Sequence, residues 1–215
     1  MWHACLVGMT DTYIHKIYTV ADQGDQREAY DDWADSYDDD LGTNSYKTPT
    51  RTAQALKQCL PTDQANPRIL DWACGTGLSG SALQDAGFTD IDGCDISEGM
   101  LEKARAKGLY NKLFTTPLGV PDADMFKGYD AVAAVGAVSV GAAPAECLPA
   151  IVDGLKPGGY LAVSFNALTL DDKTYMDTLA KVIDRDNVTL EFSEDGPHLT
   201  AEHNSQSRVM VLKKS

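Results

Sequence analysis

The sequence has no apolar run long enough to span a bilayer. Its longest weakly polar stretch, Ala131 to Ala145, falls short of the ~20 residues a spanning helix needs, and Gly, Ser and Pro interrupt it. Positive charge is scarce: 18 Lys and Arg stand against 32 Asp and Glu, for a net charge of −14. Such a field repels polyanions, so neither nucleic acid nor an anionic membrane surface is an expected partner. The five cysteines (Cys5, Cys59, Cys74, Cys94, Cys147) form no C-x-x-C pair and no disulfide framework, which fits a reducing compartment. The four histidines (His3, His15, His198, His203) lack metal-ligand spacing. The contiguous acids Asp38, Asp39 and Asp40 would not converge on one point of a helix, so they read as a solvated helix end and no metal site is expected. Met1 to Gly8 offers neither the basic start nor the apolar length of a signal peptide, and Met9 is an alternative start. A cytoplasmic protein is expected.

What is present is an ordinary globular composition, 43% hydrophobic and 23% charged over 215 residues. No internal repeat or low-complexity tract divides it. Residues 1–61 read as a polar helical lead, with helices over Thr12 to Val20, Gln26 to Leu41 and Thr50 to Leu60. Tyr30, Trp33, Ala34, Tyr37 and Leu41 share one face of the second helix. Residues 62–215 read as an α/β body. Strands are expected at Arg68 to Trp72, Asp90 to Asp95, Lys112 to Thr116, Tyr129 to Val135 and Tyr160 to Phe165. Helices over Leu78 to Ala86, Glu98 to Lys107, Ala145 to Leu155 and Leu170 to Arg185 alternate with them. Val188 to Phe192 and Arg208 to Leu212 follow without a long helix between, which suggests an antiparallel hairpin at one edge. The pattern implies a Rossmann-like, doubly wound, mostly parallel sheet of seven strands.

In such sheets ligands bind at the carboxyl ends of the strands, where strand order reverses. The first strand runs into Asp71-Trp72-Ala73-Cys74-Gly75-Thr76-Gly77, a glycine turn opening a helix. Gly75, Gly77 and Gly80 also satisfy G-x-G-x-x-G, a pattern shared with nicotinamide dinucleotide sites. A carboxylate at Asp71 would repel a pyrophosphate bound at that helix start, whereas it would attract a cationic ligand. S-adenosylmethionine (SAM), with its amino group and sulfonium, is such a ligand. Asp95, ending the second strand, is placed to accept from ribose hydroxyls of either cofactor. Cys74 reads as a small packing residue of the loop.

Leu70 to Gly77, Gly93 to Leu101, Tyr129 to Val132 and Leu155 to Leu161 together resemble, in order and spacing, the motifs of class I SAM-dependent methyltransferases. Tyr30 to Asp38, Ala104 to Tyr110 and Val135 to Ser139 are similar to the Williams–Beuren-syndrome-region methyltransferase-like group. The resemblance implies that Asp71 and the backbone of Gly75, Thr76 and Gly77 hold the methionine part, that Ala73 and Cys74 of the same loop belong to the cofactor site, and that Asp95 holds the ribose. It further implies that Ile96 and Met100 flank the adenine, with Leu118 at its edge. Val135 and Gly136 would lie beneath the sulfonium, and Trp33, Tyr37 and Tyr46 would cover the cofactor. Thr115-Thr116-Pro117-Leu118 lacks the acid that many relatives carry there.

The expected activity is methyl transfer from SAM to a small-molecule acceptor whose identity and oligomeric context the sequence leaves open. Tyr13, Tyr37, Ser139, Asn166 and His198 are candidates for the acceptor side. Two other readings stand beside this one: an NAD(P)-dependent oxidoreductase, and a non-catalytic SAM-binding protein.

Overall fold

The computed structural model describes residues 26–43, 45–199 and 205–215. The helix expected over Thr12 to Val20, and with it Tyr13, lies outside the described residues.

The body follows from alternation of apolar residues along short strands. β1 (Ile69–Trp72), β2 (Ile91–Asp95) and β4 (Ala131–Ala134) are buried on both faces. That is possible because helices cover both sides of a parallel sheet. β3 (Lys112–Thr115), β5 (Tyr160–Asn166), β6 (Val188–Pro197) and β7 (Gln206–Lys214) complete seven strands in the order β3-β2-β1-β4-β5-β7-β6. β1 pairs in parallel with β2 (Ile69 opposite Ile91) and with β4 (Ile69 opposite Ala131). β7 runs antiparallel to both β5 and β6, forming the edge hairpin that the sequence suggests. The order reverses between β1 and β4, which places the ligand crevice above Trp72 and Ala134.

Two apolar layers hold the sheet. On one face Leu70, Trp72, Val132, Leu161 and Val163 meet α6 (Cys147–Gly154) and α8 (Lys173–Ile183) through Leu148, Ile151, Leu179 and Val182. On the other, Ile69, Ala131, Ala133, Ala162 and Val209 meet α3 (Thr48–Cys59) and α4 (Leu78–Asp85) through Ala53, Leu56, Ala82 and Leu83. Successive residues of β1 and β4 thus serve opposite layers, as the strand period of two requires. No helix among the described residues is long and apolar enough to cross a membrane.

Three expectations are corrected. The helix read over Gln26 to Leu41 is two helices, α1 (Gln26–Trp33) and α2 (Tyr37–Thr43). The break at Ala34 to Ser36 is fixed by Asp40, whose Oδ2 accepts from Trp33 Nε1 at 2.7 Å and Ser36 Oγ at 3.1 Å. The helix read over Leu170 to Arg185 divides into α7 (Ala167–Asp171) and α8. Asp172 causes that division by accepting from the amides of Thr174 and Tyr175, which starts a new helix. Asp38 and Asp40 are not a solvated end. Asp38 accepts from Thr76 Oγ1 and pairs with Lys107 at 2.6 Å. By contrast α5 (Glu98–Lys107) is as expected, capped by the Ser97 side chain and stopped by left-handed Gly108.

Candidate functional site

A cleft of about 480 Å³ opens at the switch point between β1 and β4. Its base is the turn after β1, where the backbone is unusual. Ala73 and Gly75 both adopt left-handed conformations, with φ of 57° and 55°. For alanine this is a strained state, held by the surrounding contacts. Cys74 N donates to Cys94 O at 2.9 Å, tying the turn to β2. The winding lets the backbone itself line the cleft at Ala73 and Gly75.

Asp95 stands at the end of β2 and lines the same cleft. Its Oδ2 accepts from Gly75 N at 2.9 Å and its Oδ1 from Ser97 N at 3.0 Å. A carboxylate has about four acceptor sites, so capacity remains for a ligand donor. Burial pushes its carboxyl upward, against the amides of Ser97, Gly75 and Ile96, which favour the charged form.

Asp71 does not line the cleft. It is fully buried, and its Oδ2 accepts from Ser79 Oγ and from Tyr110 OH, each at 2.7 Å. Its Oδ1 has no partner among the described residues. Burial pushes this carboxyl up to about 7 despite the two hydroxyl donors. The third glycine of the G-x-G-x-x-G pattern serves this arrangement. A Cβ on Gly80 would lie 2.2 Å from the Tyr110 hydroxyl.

Ile96, Met100, Leu118, Val135 and Gly136 line the cleft, as does Tyr37 from the lead. Cys74, Thr76 and Gly77 do not. Cys74 is buried, and burial raises its thiol well above the usual range, which suits an inert packing role. Thr76 is turned to Asp38, and Gly77 precedes α4 with φ of 93°. Among the described residues lining the cleft are two carboxylates, Asp95 and Asp172, and no Lys, Arg or His. A carboxylate-bearing, cation-free wall fits a positively charged ligand without phosphates.

The comparisons with known proteins agree with this geometry. A family model described as a methyltransferase domain matches residues 70–161. Methyltransferase-like protein 27 of Homo sapiens is 35% identical over 173 residues, covering 80% of this chain and 70% of that protein. The chain belongs to the class I SAM-dependent methyltransferases. Ribosomal protein L11 methyltransferase of Burkholderia multivorans is 28% identical over 125 residues, 58% of this chain and 39% of that one. Magnesium protoporphyrin IX methyltransferase of Synechocystis PCC 6803, solved with bound SAM, has the same fold. Its TM-score is 0.56 at 21% identity, covering 77% of this chain and 79% of that one.

The remaining residues expected in this methyltransferase's site gather in a second, smaller cavity of about 90 Å³. Trp33 and Tyr46 line it together with Ser139, Asn166 and His198. Tyr37 and Gly136 border both spaces. Gly136 is fixed by its amide, which donates to Ser164 Oγ at 2.8 Å, and the Tyr46 hydroxyl lies 3.0 Å from where a Cβ on it would be.

Sequence reasoning missed Gln26, Asp172 and Tyr175, which also line the cleft. Gln26 Nε2 donates to Ala142 O at 3.1 Å, and Tyr175 OH donates to Ser139 O and Ala143 O at 3.0 and 3.2 Å. These bonds shape the loop after β4 across more than thirty residues of sequence, 32 at the shortest, and no local pattern announces them.

Proposed function

We propose that this methyltransferase binds SAM in the larger cleft and transfers its methyl group to a small-molecule acceptor, in the cytoplasm. The observation that carries the cofactor reading is the wall with Asp95 and Asp172 and, among the described residues, without a cationic side chain. A pyrophosphate-bearing dinucleotide would meet two carboxylates there and no counter-charge from the described residues, which disfavours the oxidoreductase reading. The volume of about 480 Å³ lies within the range of small-molecule sites.

SAM supplies, when bound, an activated methyl on a sulfonium. The chain's residues supply place and dryness. Asp95 would accept from the ribose hydroxyls, with its two oxygens already oriented by Gly75 and Ser97. Ile96 and Met100 would flank the adenine, and Leu118, at 49% exposure, would be the outer edge of that subsite. The backbone at Ala73 and Gly75 would receive the methionine part, and Val135 and Gly136 would lie on the methyl side. Tyr37 lines the cleft from the lead and would help to exclude water. Catalysis would then rest mainly on positioning the acceptor atom for in-line attack.

The small-molecule reading is supported by the second cavity. At about 90 Å³ it has room for the head of a compact molecule. The test is transfer of labelled methyl from SAM in a cell extract, afterwards separated into small-molecule and protein fractions. The label is expected among the small molecules, above an Asp95→Ala control. Label confined to protein would overturn the acceptor class. No label above the control in either fraction would favour a non-catalytic SAM-binding protein.

A further inference from the structure

The smaller cavity lies beside Gly136, which follows β4, Asn166 at the end of β5, and His198, which follows β6. Its contact with the cofactor cleft at Tyr37 and Gly136 places it on the acceptor side, an assignment that rests on the methyltransferase reading. The His198 imidazole is buried in its wall and meets the Tyr46 ring edge-on at 5.2 Å. Its backbone is pinned on both sides, since Lys47 N donates to His198 O and His198 N donates to Ser205 O.

Behind the ring runs a line of buried polar groups with a direction. Arg51 Nη1 donates to Ser207 Oγ at 3.0 Å. Ser207 Oγ lies 2.8 Å from Thr48 Oγ1, which lies 2.7 Å from His198 Nδ1. Ser207 and Thr48 are fully buried. A guanidinium can only donate, and each hydroxyl has one proton to give. The Ser207 proton finds its hydrogen-bond acceptor in Thr48, and the Thr48 proton then goes to Nδ1. The opposite direction strands the Ser207 proton in a buried site, which is the costlier arrangement. With Nδ1 accepting, the neutral ring has its own proton on Nε2. Burial, aided by Arg51, pushes His198 down to about 4, so the ring is neutral at pH 7. Nδ1 is the ring nitrogen engaged by Thr48, which leaves Nε2 to the cavity that the ring lines.

We propose that His198 is an acceptor-recognition residue, whose Nε2–H, set by the Arg51–Ser207–Thr48 line, donates to an oxygen of the molecule to be methylated. The line selects acceptors that carry a carbonyl or carboxylate oxygen near the reacting atom. It disfavours a cationic group at that point. Its direction also removes His198 as a general base, because the nitrogen offered to the cavity already holds a proton.

A purely structural role, tying the β6–β7 hairpin to α3, would leave this nitrogen indifferent to small ligands. The test uses the full chain labelled with ¹⁵N-histidine and saturated with S-adenosylhomocysteine, observed by long-range ¹H–¹⁵N NMR at pH 7. Sodium acetate serves as the oxygen-bearing probe, and His198→Gln assigns the signals. The expected spectrum shows His198 protonated on Nε2, with that resonance alone among the histidines shifting saturably with acetate. Thr48→Val is expected to give a mixture of the two tautomers. In the extract assay, His198→Ala is expected to lose about tenfold or more in transfer. His198→Gln, which keeps a donor at similar reach, should stay within about threefold of the parent. A ring protonated on Nδ1, or an Nε2 that acetate leaves unmoved, would overturn the inference. If S-adenosylhomocysteine does not bind at all, the cofactor reading is what fails. The tautomer of the free chain then still decides the direction of the line.

Discussion

Asp71 and Asp95 end neighbouring strands and are both buried, yet their partners give them different chemistry. Asp95 is held by backbone amides at the cleft, so it is a preorganised acceptor for a ligand. Asp71 is held by two side-chain hydroxyls away from the cleft, with one oxygen left without a partner among the described residues. The sequence presents both as strand-end carboxylates beside a glycine turn, and period-two alternation alone does not say which will face a ligand. What decides for Asp71 is Tyr110, a residue 39 positions away that fills the space Gly80 leaves open. A carboxyl raised to about 7 is expected to titrate near neutrality in a ¹³C-NMR pH series. Tyr110→Phe removes a donor to the charged form and should move that midpoint upward; an unmoved or lowered midpoint would contradict the assignment. Because the folded value lies above the unfolded one, this carboxyl's contribution to stability is full below about pH 4 and is lost as pH rises through about 7.

At the level of elements, the strands and the capped helix α5 were legible because their signals are local: buried apolar runs, Ser97 at the start, Gly108 at the stop. The arrangement of the lead was not, because distant contacts set it. Asp31 on α1 accepts from Ser97 Oγ at 2.5 Å and from Gly99 N at 3.0 Å, adding an acidic cap to the start of α5. That contact fixes the helix bearing Tyr30 over the cofactor cleft, and the break after Trp33 turns Asp38 toward Thr76. The full length of β6 is not legible either, since its outward residues are acidic and exposed, as an edge strand allows. Asp31→Ala is expected to cost about 1 kcal/mol in urea unfolding and to weaken SAM several-fold by calorimetry. Lys103→Ala breaks only an exposed pair with Asp35 at 2.6 Å and should change neither measurably. Equal effects from the two variants would show that the cap is not what docks the lead.

For the molecule as a whole, alternation of strand and helix is enough to give the seven-stranded sheet, and the glycine turn after β1 gives the place of the cleft, while the strand order and its reversal between β1 and β4 come from the structure. The division into two adjoining spaces was not readable, because the smaller cavity is assembled from α1, α2, β5 and the segments after β4 and β6, elements far apart in the chain. Asp95 and Asp172, with no cationic side chain among the described residues of the cleft, point toward a cofactor that is cationic at its reacting end. Calorimetric titration of the full chain with SAM and, separately, with NAD, repeated for Asp95→Ala, puts the cofactor assignment to the proof. SAM is expected to bind and NAD is not expected to bind comparably. Asp95→Ala is expected to weaken SAM by about 1–3 kcal/mol through lost charge-assisted hydrogen bonds. Tight binding of NAD without binding of SAM, or an Asp95→Ala chain with unchanged affinity for SAM, would overturn that assignment.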